Sequence, residues 1–141
     1  MKVLILSKAL AVGTYQHQLE LLAQEPGVGV VAVVPPSWRE SAAWETPTER
    51  PAPGASYRLL IQPIARNGNF HLYTWRGLGR LLRREQPDIL HVDEESFNLA
   101  TFQAMALAAR MQLPALFFNW ANIDRRLPPP FSWIERYNLR H

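Results

Sequence analysis

Residues 2–7 read KVLILS and residues 28–34 read VGVVAVV, two apolar runs that flank a more polar stretch. Neither run alternates polar and apolar residues, so both predict parallel strands that are buried on two faces. Between them apolar residues recur at helical spacing over 15–23, where Thr14 is expected to cap a helix and Pro26 to end it. This order of strand, helix and strand predicts a right-handed parallel crossover.

The same alternation continues along the chain, with one long interruption. Residues 35–56 contain five prolines and no regular period, which predicts an irregular loop with at most one short helical turn. The other predicted elements are strands over 57–63, 88–92 and 114–119, and helices over 73–85, 97–111 with Ser96 as the cap, and 131–140.

This pattern predicts an α/β fold, a Rossmann-like doubly wound parallel sheet of about five strands in the order 3-2-1-4-5 with helices on both faces. Residues 1–141 are expected to form one such domain. Ligands of these sheets bind beyond the carboxyl ends of the strands where the strand order reverses, here between the first and fourth strands. Residues 8–14, 93–96 and 119–124 are therefore expected to meet at one site.

Composition excludes several classes of protein. The chain has no cysteine, which rules out disulfide scaffolds and cysteine zinc sites, and its four histidines lack the spacing of metal ligands. No apolar run approaches the ~18 residues of a membrane span, and no signal peptide is evident, so we expect a cytoplasmic protein. The net charge of +3 comes without a nucleic-acid motif. Four arginines on one helix face could contact an anionic membrane, although a solvated face is the preferred interpretation: Arg76, Arg80, Arg83 and Arg84.

The first strand is followed by a turn with a single glycine, Gly13, so neither the dinucleotide fingerprint nor the P-loop is present. A phosphoacceptor receiver domain is also disfavoured, because Ser7 and Lys8 stand where its acidic pair would be. A glycine just before a helix lets a phosphate approach the backbone amides. The alternative, an ordinary turn glycine, is the commoner role.

Acidic and amide side chains follow the fourth and fifth strands. Asp93, Glu94 and Glu95 could supply a general acid or base or bind sugar hydroxyls; the alternative is a solvated acidic turn at a helix start. Residues 119–122 combine two amides with Trp120, a mixture that holds carbohydrate, whereas the plainer interpretation has Trp120 cover the sheet end. His91 is predicted to be a core histidine with its hydrogen bonds satisfied.

Taken in order, these motifs resemble the N-terminal half of family 4 (group 1) glycosyltransferases. The resemblance rests on residues 2–10 with Gly13 and Tyr15, residues 33–38, residues 87–95 and residues 119–123. It implies an enzyme of two Rossmann-like domains, the GT-B fold, that transfers a hexose from a nucleotide-sugar with retention and without a metal. The paired-glutamate motif of the donor-binding domain is missing here, so the chain is expected to be a truncated acceptor-side domain, inactive alone.

The resemblance also implies roles for particular residues and partners. Gly13 and Lys8 would bind the donor phosphates, and the acceptor would contact Asp93, Glu94, Glu95, Asn119, Trp120 and Asn122. The partners implied are a carbohydrate or glycolipid acceptor and the nucleotide-sugar, with no cofactor. The alternative is a stand-alone Rossmann-like module that binds without catalysis. Exposed apolar residues on the last helix, Trp133, Ile134 and Tyr137, further predict a homodimer.

Overall fold

The computed structural model describes residues 1–119 and 126–140. A short 3-10 turn at Ala9–Ala11 precedes the first helix. The strands are β1 (Lys2–Leu6), β2 (Gly29–Val34), β3 (Ser37–Ser41), β4 (Trp44–Pro47), β5 (Arg58–Ile61), β6 (Ile64–Ala65), β7 (Thr74–Trp75), β8 (Ile89–Val92) and β9 (Ala115–Phe117), and the helices are α1 (Gly13–Ala23), α2 (Leu78–Glu85), α3 (Leu99–Met111) and α4 (Phe131–Asn138). Within the described ranges, no helix has both the length and the apolar character needed to cross a bilayer.

The main sheet has five parallel strands in the order β5-β2-β1-β8-β9. This confirms the predicted order 3-2-1-4-5 and the Rossmann-like α/β class. In the central strand, Val3 pairs with Val30 on one side and Ile89 on the other. The strand order reverses between β1 and β8, so the carboxyl ends of these two strands open toward a common space.

Each face of the sheet has its own apolar core, because consecutive strand residues point to opposite sides. Val3 and Ile5 pack with Leu19 of α1 on one face. Leu4 and Leu6 pack on the other face against α2 and α3. Burial on both faces explains why the central strands are apolar without alternation, as the sequence predicted.

Residues 35–56 are not the irregular loop that the sequence predicts. They contain an antiparallel hairpin in which Trp38 of β3 is opposite Thr46 of β4. Arg39 and Glu45 form an ion pair across the strands at 3.0 Å, and Trp38 packs edge-to-face on Tyr73 at 5.2 Å. The prediction was wrong because the prolines lie at the ends of the hairpin, while its turn lacks the usual Asn-Gly signal.

The second helix is shorter than the predicted range of 73–85. The first part of the predicted range forms β7 instead, where Trp75 pairs with Ile64. Gly77 has φ +68°, a left-handed conformation that cannot continue a helix, so α2 begins at Leu78. Apolar spacing alone did not distinguish a buried β-strand tryptophan from a helical one.

Two predicted helix caps were also wrong. α1 begins at Gly13, so Thr14 lies inside the helix, and neither helix has a side-chain cap hydrogen bond. Ser96 instead accepts a hydrogen bond through its carbonyl from the Asn138 amide at 2.7 Å, which fastens α4 to the start of α3. Trp133 of α4 remains 64% exposed. The homodimer stays a prediction.

Candidate functional site

A cleft of about 600 Å³ opens at the carboxyl ends of β1 and β8, where the strand order reverses. Two of the three predicted segments meet there, 8–14 and 93–96. Its walls come from the first turn, α1, the loop that carries Phe70 and the end of β8: Lys8, Ala9, Thr14, Tyr15, His17, Gln18, Leu21, Phe70, Asp93, Glu94 and Glu95. The surface of the cleft is mainly apolar, as in most small-molecule sites.

Lys8 and Glu94 form a buried ion pair in the floor of the cleft. The Lys8 ammonium contacts Glu94 Oε2, and the Lys8 backbone N–H donates to Glu94 Oε1 at 3.1 Å. The Glu94 side chain has no exposed surface and the Lys8 side chain is 16% exposed. The fold therefore brings together Lys8, which the resemblance assigns to the donor phosphates, and Glu94, which it assigns to the acceptor.

Three aromatic rings surround the Lys8 ammonium. Its Nζ lies 4.5 Å from the ring centre of Phe70, 5.6 Å from that of Trp38 and 5.9 Å from that of Tyr73. These separations fall within the range of cation–π attraction. The charge of Lys8 is thus held by one carboxylate and by ring faces, and water has little access to it.

Several buried polar atoms lack hydrogen-bond partners in the described part of the chain, among them the hydroxyl of Tyr73, whose ring borders the Lys8 ammonium. Burial, followed by the charge of Glu94, raises the pKa of Tyr73 well above its ordinary value, so its hydroxyl keeps its proton. That hydroxyl makes no hydrogen bond of good geometry with the described residues, and the same holds for His71 Nδ1 and Asn98 Oδ1. Buried polar atoms without partners are uncommon in folded proteins, so each one calls for an explanation.

The three consecutive carboxylates occupy different positions. Glu94 is buried in the floor, whereas Asp93 and Glu95 line the walls and are half-buried. Ser7 Oγ donates to Asp93 Oδ2 at 2.8 Å, and the Glu95 carbonyl accepts from Thr101 Oγ1 at 2.7 Å. Asp93 and Glu95 therefore line the cleft, whereas Glu94 is paired with Lys8.

The position of Phe70 depends on the connection between β6 and β7. The Arg39 backbone N–H donates to Asn67 Oδ1 at 3.0 Å, which ties this connection to the β3–β4 hairpin. Gly68 has φ +89°, and a Cβ at this position would lie 3.0 Å from the Arg39 carbonyl oxygen. Only glycine fits both the conformation and the close approach.

Gly13 is the first residue of α1, and the carboxylate of Glu49 covers it. A Cβ at Gly13 would lie 2.6 Å from Glu49 Oε2. Residue 49 is fixed through its backbone, since its N–H donates to the Ala11 carbonyl at 2.9 Å and its carbonyl accepts from Gln16 Nε2 at 3.0 Å. An anion at Gly13 would therefore have to displace the Glu49 side chain.

The candidate residues after the fifth strand are only partly described. Asn119 is exposed beyond the end of β9, and Trp120 and Asn122 lie outside the described residues. His91 differs from the prediction of a satisfied core histidine: it is half-buried, and its Nε2 has no hydrogen-bond partner in residues 1–119 and 126–140. Burial lowers the pKa of His91, with an opposing contribution from the charge of Asp93.

Sequence reasoning missed the two exposed aromatic walls of the cleft. Tyr15 is 57% exposed and Phe70 37% exposed. Tyr15 was predicted to lie among the buried apolar residues of α1. Its spacing of three residues from Gln18, and of six from Leu21, instead puts it on the face of α1 that lines the cleft. Phe70 is a lone aromatic in a polar connection, a signal that could have been read from the sequence.

No three carboxylate or imidazole groups of the described chain lie together as a metal ion would require. No family model, curated protein or solved structure matches the chain. The fold and the geometry of the cleft are therefore the basis for assigning a function.

Proposed function

We propose that this chain is the acceptor-binding domain of a retaining glycosyltransferase that uses a nucleotide-sugar, and that the cleft between β1 and β8 holds the carbohydrate acceptor. One observation carries the proposal: exposed aromatic rings and carboxylates face the same cleft at the strand-order reversal. The resemblance of the strand-end motifs to family 4 glycosyltransferases agrees with it.

The chemistry of the walls suits a sugar. A pyranose ring has an apolar face of C–H groups that packs on aromatic rings, and Tyr15 and Phe70 supply such rings. Its hydroxyls donate well to carboxylate oxygens, and Asp93 and Glu95 supply these. The combination favours an uncharged polyhydroxylated ligand over an anionic one.

Lys8 has a binding role in this proposal, on the acceptor side of the cleft. An ammonium has three N–H donors, and the contact with Glu94 leaves donors for acceptor oxygens in the cleft. Because Glu94 and the ring faces fix the ammonium, little side-chain entropy remains to be lost when a ligand binds. Glu94 thus acts through Lys8.

Binding of the nucleotide-sugar donor would require two further conditions. Donor phosphates beside Gly13 would displace the Glu49 carboxylate, and a second domain would hold the nucleotide. Transfer requires both halves of the cleft in register. The 141-residue chain is therefore expected to bind glycosides without transferring sugar; the alternative, a stand-alone binding module, predicts glycoside binding without any need for a second domain.

Saturation-transfer NMR with a panel of methyl glycosides tests the acceptor site. We expect at least one glycoside to bind, and Tyr15→Ala and Phe70→Ala each to weaken it about tenfold through the loss of ring contact. The matched control is Trp133→Ala, because Trp133 is similarly exposed but does not line the cleft. An equal loss of affinity in the Trp133 variant would contradict the proposal that the cleft binds the glycoside. An unchanged affinity in both the Tyr15 and Phe70 variants would contradict it as well.

A further inference from the structure

A second cavity of about 220 Å³ lies beside the cleft, between the turn after β1 and the β3–β4 hairpin. The two cavities have four wall residues in common: Lys8, Ala9, Tyr15 and Phe70. They are therefore neighbouring compartments, and a ligand that is long enough can occupy both. We call the second cavity the hairpin subsite; its other walls are Ala11, Val12, Trp38, Glu40 and Thr46.

Three residues of the hairpin line this subsite from one face of the two strands. Trp38 pairs with Thr46, and the side chains of a cross-strand pair point to the same side. The register shifts between Arg39 and Ser41, which makes Glu40 the bulged residue. Bulges re-aim a side chain and are common beside active sites. Glu40 at this bulge lines the subsite together with the Trp38–Thr46 pair.

Two polar groups of the hairpin can meet a ligand in the subsite. The Glu40 side chain is exposed and has neither an ion pair nor a hydrogen bond with the described residues. Thr46 Oγ1 accepts from Trp44 Nε1 at 3.1 Å, so its O–H can donate to a ligand. Sugar hydroxyls both donate and accept, and a carboxylate with a hydroxyl in one cavity matches them.

The size and charge of the subsite restrict what it can hold. Its volume of about 220 Å³ equals that of about seven bulk waters at ~30 Å³ each, which admits one sugar unit. Ala11, Val12 and Trp38 give it apolar walls for the C–H groups of a sugar ring. The Glu40 carboxylate repels phosphate and carboxylate groups, so the subsite suits a neutral sugar better than a donor pyrophosphate.

We infer that the ligand is a neutral glycan of at least two sugar units, with one unit in the cleft and the next in the hairpin subsite, where Glu40 and Thr46 bind its hydroxyls. The inference rests on the proposed function, since it assigns the first unit to the cleft. It adds a second recognition site and restricts the ligand in length and charge. Tyr15 and Phe70 line both compartments, so the two units share these rings.

The affinity of the full chain for four probes tests the inference: methyl α-glucoside, methyl β-glucoside, methyl α-maltoside and methyl β-cellobioside. We expect one disaccharide to bind about tenfold more tightly than its monosaccharide, through hydrogen bonds that include one to a carboxylate. Glu40→Ala should remove most of this gain and leave the monosaccharide affinity unchanged, and Thr46→Val should remove a smaller part. Glu25→Ala is the matched control, because Glu25 is also exposed but lies beyond the far end of α1.

The possible results separate the two sites. Equal affinity for disaccharides and monosaccharides, or equal losses in the Glu40 and Glu25 variants, overturns the hairpin subsite and leaves the sugar site in the cleft standing. A Glu40 variant that loses monosaccharide affinity as strongly also overturns it. Disaccharide binding that depends on Glu40, without monosaccharide binding, supports the subsite and contradicts an independent site in the cleft. Absence of binding by all four probes overturns the inference, and the glycoside panel decides on the cleft separately.

Discussion

Two glutamates are buried at opposite edges of the sheet, and their surroundings differ. Glu85 lies at the edge where the strands begin, beside Lys2 of β1 and Arg58 of β5. Glu94 lies at the edge where they end, beside Lys8. Glu85 is 7% exposed and Glu94 is 1% exposed.

Glu85 has several partners that compensate for its burial. Lys2, Arg58 and Arg84 each donate to its carboxylate at 3.1 Å. Burial alone would raise the pKa of Glu85, but these hydrogen bonds outweigh it and hold the pKa below the ordinary value. The three cations keep much of their contact with water, so this edge stabilises the fold without an unpaired charge.

The other edge has a single cation, although Glu94 also accepts from the Lys8 backbone N–H at 3.1 Å and from Asn98 Nδ2 at 3.5 Å. Glu94 has one cation, Lys8, and the nearby Tyr73 hydroxyl and Asn98 Oδ1 have no partners of good geometry among the described residues. A site that served stability alone would satisfy these atoms or replace them with apolar groups. The edge where the strands end therefore keeps buried polar atoms without hydrogen bonds in the described part of the chain, which agrees with the proposed binding site.

The largest effect expected from this comparison is on stability. Glu94→Gln leaves the Lys8 ammonium buried without a counter-charge, which should cost about 3–5 kcal/mol of unfolding free energy. Glu85→Gln should cost only about 1–2 kcal/mol, because its three cations can turn to water. Urea unfolding of both variants gives the two values. Equal costs would remove the distinction between the edges.

A second test concerns the wall that carries Phe70. Gly68→Ala should reduce both stability and glycoside affinity, because its Cβ meets the Arg39 carbonyl at 3.0 Å and forces the connection to move. The matched control is Gly54→Ala, which has the same φ of +89° and no atom within 4 Å. Backbone strain of about 1–3 kcal/mol is common to both variants. An affinity loss shared equally by the two would contradict the role of the close approach.

A smaller effect is expected at the donor side. Removal of the carboxylate in Glu49→Ala should raise the affinity of the chain for pyrophosphate about two- to fivefold, through the field at the start of α1. Glu25→Ala, which removes a carboxylate beyond the other end of this helix, should leave the affinity unchanged. Calorimetric titration at low salt measures both. No gain in the Glu49 variant would leave Gly13 as an ordinary turn residue.

The smallest effect concerns pH. The folded-state pKa of His91 lies below its ordinary value of 6.5, so the unfolded chain takes up the proton first as the pH falls. The contribution of neutral His91 to stability is complete above that value and declines as the pH falls through it toward the folded-state pKa. Wild type should therefore lose more stability than His91→Gln between about pH 8 and about pH 5.5. Parallel curves for the two proteins would contradict this.

The five-stranded sheet was predictable from the sequence because short apolar runs identify its strands without reference to distant residues. The runs at 2–7 and 28–34 show burial on both faces directly, and short connections leave few alternative topologies. The β3–β4 hairpin and β7 were missed because their pairing depends on contacts between distant residues, such as that of Trp38 with Tyr73. Tertiary contacts override apolar spacing at these positions.

The location of the cleft was predictable for the same reason, but the arrangement of the side chains inside it was not. Strand ends indicate where a ligand space lies, which is how Lys8 and Asp93 were chosen. The sequence does not show that Glu94 points inward to Lys8 while Glu95 lines the wall, because neighbouring acidic residues have the same chemistry. Glu49 could not be found, since its approach to Gly13 depends on the path of the preceding hairpin.

The double variant Lys8→Met/Glu94→Gln measures whether the Lys8–Glu94 pair serves binding more than stability. Both charges are removed together, and the amide oxygen of glutamine can still accept from the backbone N–H of residue 8. We expect an unfolding free energy within about 1 kcal/mol of wild type and a glycoside affinity at least about tenfold weaker. A stable variant that binds the glycoside as tightly as wild type would contradict it.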